Sequence, residues 1–92
     1  MGAKVRYIIT FFGDVQGVGF RFTACHAAQA YSCTGWVRNE YDGSVTMEIQ
    51  GTEAEINKVL ERIEKGRFIS IDRIDKKSIA TVDDEWGFDT KW

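Results

Sequence analysis

The run VTMEIQGTEAEINKVLERIEKG, residues 45–66, changes its hydrophobic period halfway along. Val45, Met47 and Ile49 alternate with Thr46, Glu48 and Gln50, the two-residue period of a strand with one buried face. From Ile56 the apolar positions recur at Val59, Leu60 and Ile63, the i, i+3, i+4, i+7 spacing of a helix with one buried stripe. Between the two patterns stand Thr52 and Glu55, a capping box in which each side chain satisfies a free backbone N–H at the helix start. Lys65-Gly66 supplies the stop. A strand that feeds a helix in this way belongs to a layered sheet-and-helix domain.

Working outward, Trp36–Asn39 reads as a strand joined to Val45–Gln50 around Asp42-Gly43, a pair that favours hairpin turns. An earlier helix runs from Phe20 to Ser32, with Ala24, Cys25, Ala28 and Tyr31 spaced for one buried face. Its exit falls on Ser32, where glycine is easier. Lys4–Phe12 is rich in β-branched and aromatic residues, a strand with Tyr7, Ile9 and Phe11 on one face. Downstream, Ile69–Ile79 reads as a fourth strand whose Lys76-Lys77 pair marks an exposed or edge section. Thr81–Glu85 is a turn, and Trp86, Phe88, Thr90 and Trp92 alternate as a short last strand. The order β-α-β-β-α-β, with an extra C-terminal strand, predicts an α+β fold. It is a ferredoxin-like split β-α-β sandwich with two helices on one face of an antiparallel sheet. One domain over residues 1–92 is expected.

Composition narrows the function classes. The chain is 43% apolar and 28% charged, an ordinary globular balance. No apolar run approaches the roughly 18–20 residues needed to cross a bilayer, and Lys4 and Arg6 interrupt any signal-like start. The cytoplasm is the expected compartment, and no membrane partner is expected. A net charge of −2 lacks the basic footprint of a nucleic-acid binder. Trp36, Trp86 and Trp92, with Phe11, Phe12, Phe20, Phe22, Phe68 and Phe88, therefore read as core residues and not as a stacking platform for RNA. His26 is the only histidine and has no companions at zinc spacing, so neither a metal nor a cofactor is expected. Cys25 and Cys33, placed on one helix, stand about 12 Å apart. A disulfide needs less than about 7 Å, so they read as reduced, buried small residues.

The chemistry concentrates in Gly13-Asp14-Val15-Gln16-Gly17-Val18-Gly19-Phe20-Arg21, between a strand and a helix start. Free N–H groups and the helix dipole favour an anion there, and glycines at 13, 17 and 19 let the backbone turn close to it. Arg21, in the first helical turn, offers a guanidinium that grips a phosphate through two parallel hydrogen bonds. The spacing is that of neither common nucleotide loop. By itself it also fits a plain glycine-rich turn with a surface arginine.

The second stretch resolves this. Thirteen residues after Arg21 comes Thr34-Gly35-Trp36-Val37-Arg38-Asn39, followed by Asp42-Gly43-Ser44-Val45. Together with the loop, this resembles the acylphosphatase family, strongly over Gly13–Gly51 and more loosely to the C-terminus. The resemblance implies a hydrolase that splits acyl phosphates such as acetyl phosphate, carbamoyl phosphate and 1,3-bisphosphoglycerate without a metal. In it Arg21 binds the phosphate and Asn39 positions the attacking water. Val15, Gln16, Gly17, Val18, Gly19 and Phe20 form the cradle whose amides hold the phosphate oxygens, and inorganic phosphate is a product ligand. The small-molecule substrate is the only partner implied, and with a complete core a monomer is expected. The alternative is a non-catalytic acylphosphatase-like module for a phosphorylated ligand or protein partner; retention of both Arg21 and Asn39 favours the enzyme. Two positions depart from the family pattern. Asp14 stands where a basic or neutral residue is common, which weakens phosphate affinity if its carboxylate faces the anion. Lys76 stands where an apolar strand residue is common. Without a ligand cluster, activity should survive exhaustive chelation with EDTA. A preparation that dies in EDTA and recovers with zinc or magnesium contradicts this reading.

Overall fold

Alternating apolar positions place five strands side by side in the computed structural model, which describes residues 2–92. They are β1 (Val5–Asp14), β2 (Thr34–Asn39), β3 (Val45–Gly51), β4 (Ser70–Ile79) and β5 (Phe88–Thr90). The helices are α1 (Phe20–Ala30) and α2 (Glu53–Glu64). Strand order across the sheet is β4-β1-β3-β2-β5. β1 runs antiparallel to β3 and β4, and β2 runs antiparallel to β3. β5 instead lies parallel to β2, so the sheet is mixed where an antiparallel one was expected. The cause is the chain path: after β4 it crosses to the far edge and runs beside β2 in the same direction. The Gly35 N–H bonds the Gly87 carbonyl at 3.1 Å on entry, and the Lys91 N–H bonds the Val37 carbonyl at 2.8 Å on exit.

Ile9, Phe11, Val37, Met47 and Ile49 line the helix-covered face of the sheet, and Ala24, Ala27, Ala28, Ile56, Val59 and Ile63 meet them from above. The α2 capping box is complete, with Thr52 accepting from the Glu55 N–H and Glu55 accepting from the Thr52 N–H. α1 ends at Ala30, two residues before the expected Ser32, which instead takes a left-handed φ of 59° as the chain turns out. Cys33 follows that turn and is buried, while Cys25 on α1 is half-buried. Both thiols are free, and burial pushes Cys33 up to about 11. β4 is an edge strand, exposed along most of its length, and the Lys76 ammonium rests 4.2 Å over the Tyr7 ring.

The aromatic residues divide differently from the sequence expectation. Phe11, Phe20 and Phe88 are fully buried, but Phe22, Phe68, Trp86 and Trp92 are exposed and Phe12 and Trp36 are half-buried. The last strand is three residues long, so Trp86 and Trp92 lie outside it.

On β1, Arg6 is buried beneath a set of acceptors that no local pattern predicts. Its Nη1 and Nη2 donate to the two carboxylate oxygens of Glu85 at 2.7 and 3.1 Å, and its Nε donates to Glu48 at 2.9 Å. Gln50, which accepts from Arg6 at 3.2 Å, also exchanges two hydrogen bonds with the Val82 backbone, each 2.9 Å. This network pins the crossing segment that delivers β5. The Arg6 guanidinium holds the Glu85 carboxyl below the usual carboxylate range, against the opposing effect of burial, with Thr34 and Lys91 assisting. A depressed carboxyl adds stability above its unfolded pKa of about 4.3, and that stability is lost as pH falls through the folded value. Glu85→Gln is therefore expected to destabilise the fold at pH 7 by about 1–3 kcal/mol, the worth of hydrogen bonds to charged groups. The difference in Tm from wild type should shrink as pH is lowered through the carboxylate range; a gap unchanged at acidic pH contradicts the ion-pair account.

Candidate active site

The strand-to-helix connection is held at both ends and open in the middle. The side chains of Val15 and Phe20 insert into the core, and the Phe20 ring lies 4.8 Å from that of Phe11. Between them Gly17 and Gly19 take φ values of 73° and 80°, a region that residues with a Cβ rarely enter, and both are exposed. Val18 is half-buried against the core. Gly19 is the N-cap of α1, and no side chain caps it. The first-turn N–H groups of a helix have no intrahelical acceptors, and the positive end of the dipole emerges with them. The first turn carries no acidic residue either.

Arg21 stands in that first turn. Among the described residues it forms no ion pair; its guanidinium carbon lies 4.9 Å from the Trp92 ring centroid. A cation at a helix start opposes the dipole by about 0.3–1 kcal/mol, an expense that a bound anion would relieve.

Asn39 reaches the same place from the sheet. It is the last residue of β2, paired with Val45 across the hairpin. The turn beyond it is closed by the Glu40 N–H to the Ser44 carbonyl at 2.9 Å and by Asp42, whose carboxylate accepts from the Ser44 N–H and hydroxyl. The Ser44 hydroxyl holds the Asp42 carboxyl below its ordinary range. Gln16 then joins loop to hairpin: its side-chain amide donates to the Glu40 carbonyl at 2.7 Å and to the Ser44 carbonyl at 2.9 Å. Sequence reasoning counted Gln16 only as a member of the loop and missed this tie, because its acceptors are backbone oxygens over twenty residues away.

Two hollows meet here. One, about 200 Å³, is lined by Val15, Gly17, Gly19, Phe20 and Phe22. The other, about 610 Å³, is lined by Gln16, Arg38, Glu40, Tyr41, Lys91 and Trp92. Arg21 and Asn39 line both. Asp14, exposed at the end of β1, and Val18 line neither. Three cations thus face one carboxylate in the larger hollow, on a chain of net charge −2. Glu40 is ionised and paired, its carboxyl held below the usual range by the Thr46 hydroxyl and by Arg38, 3.2 Å away. His26 lies outside both hollows, its ring 5.0 Å from that of Phe22. Among the described residues no group of three His, Cys, Asp or Glu side chains is placed to hold a metal.

Of the lining residues, sequence reasoning gave no role to Arg38, Glu40, Tyr41 and Lys91 and assigned Phe22 and Trp92 to the core. For Lys91 and Trp92 the signal is their place directly after β5. Gly35, Trp36 and Val37 pair with Phe88, Asp89 and Thr90, and the Lys91 N–H bonds the Val37 carbonyl, which carries the chain on to the hollow that Asn39 and Trp92 both line.

Comparison with known proteins gives the family and the fold. The Acylphosphatase family pattern matches residues 7–90. The chain is 48% identical over 84 residues to the acylphosphatase of Clostridium acetobutylicum, covering 90% of this chain and 92% of the relative. It is 36% identical over 89 residues to that of Clostridium beijerinckii, covering 96% and 99%. The crystal structure of acylphosphatase from Bacillus subtilis superposes with a TM-score of 0.88 at 28% identity, over 96% of this chain and 99% of that one.

The Gln16 tie has a measurable consequence. Gln16→Ala removes two hydrogen bonds, each worth about 0.5–1.5 kcal/mol, and frees the loop from the hairpin. Inorganic phosphate should bind about tenfold more weakly to this variant by calorimetric titration. Unchanged affinity would show that the loop holds its shape without the tie.

Proposed function

Because this chain belongs to the acylphosphatase family, enzymes that hydrolyse acyl phosphates to a carboxylate and inorganic phosphate, we propose that its phosphoryl group is held by Arg21 and the loop amides of Val15–Phe20, and that Asn39 orients the attacking water. The observation that carries this reading is the convergence of Arg21 and Asn39 on the same two hollows at the uncapped start of α1.

The chemistry suits these groups. A carboxylate leaves easily, so phosphoryl transfer asks mainly for positioning and for stabilisation of charge on the equatorial oxygens. Arg21 supplies a permanent charge and a bidentate fork, and the first-turn and glycine amides supply donors that need no reorganisation. Water attacks phosphorus in line as the bond from phosphorus to the acyl oxygen breaks. Asn39 has no basic group, so the water proton passes to a phosphate oxygen or to solvent. On the same reading the enzyme acts without metal or cofactor, as a monomeric single domain over residues 1–92. We place it in the cytoplasm, where thiols such as Cys25 and Cys33 stay reduced.

The two side chains are separable by kinetics. Arg21→Ala should lose both phosphate inhibition and most turnover while remaining folded, and Arg21→Lys should stay poor because it lacks the fork. Asn39→Ala should lose about 2.7–4 kcal/mol of transition-state stabilisation, as for one preorganised polar group. Inorganic phosphate should still inhibit it with near-normal affinity, since an interaction made only in the transition state lowers kcat and spares ground-state binding. A folded Asn39→Ala variant that loses phosphate affinity in proportion to activity contradicts the water-positioning role.

A further inference from the structure

Arg21 and the loop amides face the phosphate in the reading above, and nothing among them reads the acyl group. The larger hollow, about 610 Å³, is far roomier than a phosphate requires. One wall of it, beside Arg21, is an aromatic ring. The Trp92 centroid lies 4.9 Å from the guanidinium carbon, and Trp92 lines the same hollow as Asn39. Backbone pairing of Lys91 with Val37 holds this position. Yet Trp92 is 93% exposed, so Arg21 covers only a small part of the indole and the rest is open to solvent.

In an acyl phosphate the carbonyl carbon is one oxygen away from phosphorus. With the phosphate on Arg21, the acyl substituent leaves within a few ångströms of that ring (roughly the 4.5–7 Å centroid spacing of aromatic pairs). A flat aromatic group can cover the exposed indole surface in an offset stack, whereas a methyl group covers very little of it. We propose that Trp92 is a specificity-determining residue, the wall on which a planar aromatic acyl group stacks, so that this acylphosphatase discriminates among acyl phosphates through its C-terminal segment. The proposal rests on the phosphate lying at Arg21.

The test compares benzoyl phosphate with acetyl phosphate in wild type, Trp92→Ala and Trp92→Phe, with inhibition by inorganic phosphate measured alongside. The ratio of kcat/KM for the two substrates, compared between proteins, cancels their difference in intrinsic reactivity. Trp92→Ala should lower the benzoyl-to-acetyl ratio by about 3- to 10-fold, the scale of one aromatic pair, and Trp92→Phe should restore most of it. An unchanged ratio overturns the proposal. So does an equal loss on both substrates with weakened phosphate inhibition, which makes Trp92 a brace for Arg21 only. Wild-type protein that neither hydrolyses these substrates nor binds phosphate would sink the phosphate-site reading as well, and that failure is visible without any variant.

Discussion

The two helices of this chain begin in opposite ways, and the difference organises the molecule. α2 satisfies its own first turn with the reciprocal Thr52 and Glu55 capping box and adds Glu53 and Glu55 to complement its dipole. α1 begins at a left-handed Gly19 with no side-chain cap, no acidic residue and a cation, Arg21, in its first turn. By the rules of helix stability this is a poor start. It becomes a good one only when an anion occupies the place of the missing cap. The open N–H groups, the dipole and the guanidinium then all act on the same charge. The sequence has kept unsatisfied, at one helix, the groups that it satisfied with its own side chains at the other.

An open helix start needs a rigid frame, and the fold supplies it from three directions. Val15 and Phe20 pin the loop ends into the core, while the glycines between them stay exposed. Gln16 fastens the loop to the β2–β3 turn, at whose start Asn39 lines the same hollows as Arg21. The segment that follows β5, tied by the Lys91 N–H to the Val37 carbonyl, brings Trp92 to the same hollow. That last approach depends on the buried Arg6 network on β1, where Glu85 and Gln50 secure the crossing from β4. A buried arginine is costly unless every donor is matched, and here the carboxylates of Glu48 and Glu85 meet it.

What was legible in the sequence follows the range of the interactions. Periodicity and capping in residues 45–66 identified β3 and α2 nearly to the residue, because each signal lies within a few positions of its effect. The edge character of β4 was visible in Lys76-Lys77 for the same reason. The loop, Arg21 and Asn39 were found through their motif and spacing, and the fold brings them together. The long-range features were not legible. The burial of Arg6 depends on Glu85, 79 positions later, and the parallel pairing of β5 depends on a crossing that leaves no periodic trace. Reading aromatic residues as core failed at Phe22, Phe68, Trp86 and Trp92, because hydrophobicity alone does not say whether a side chain in a first helical turn (Phe22) or outside the regular elements (Phe68, Trp86, Trp92) has a face to pack against.

The central claim is that the bare start of α1 is the phosphate site. Titration of the isotope-labelled protein with inorganic phosphate, followed by amide and arginine side-chain NMR, tests it most directly. The account predicts saturable shifts concentrated on the amides of Gly17, Val18, Gly19, Phe20 and Arg21 and on the Arg21 guanidinium, with α2 and β4 silent. Shifts centred elsewhere, on Lys4 and the crossing from Thr81 to Glu85 for example, with the α1 start unmoved, would contradict it.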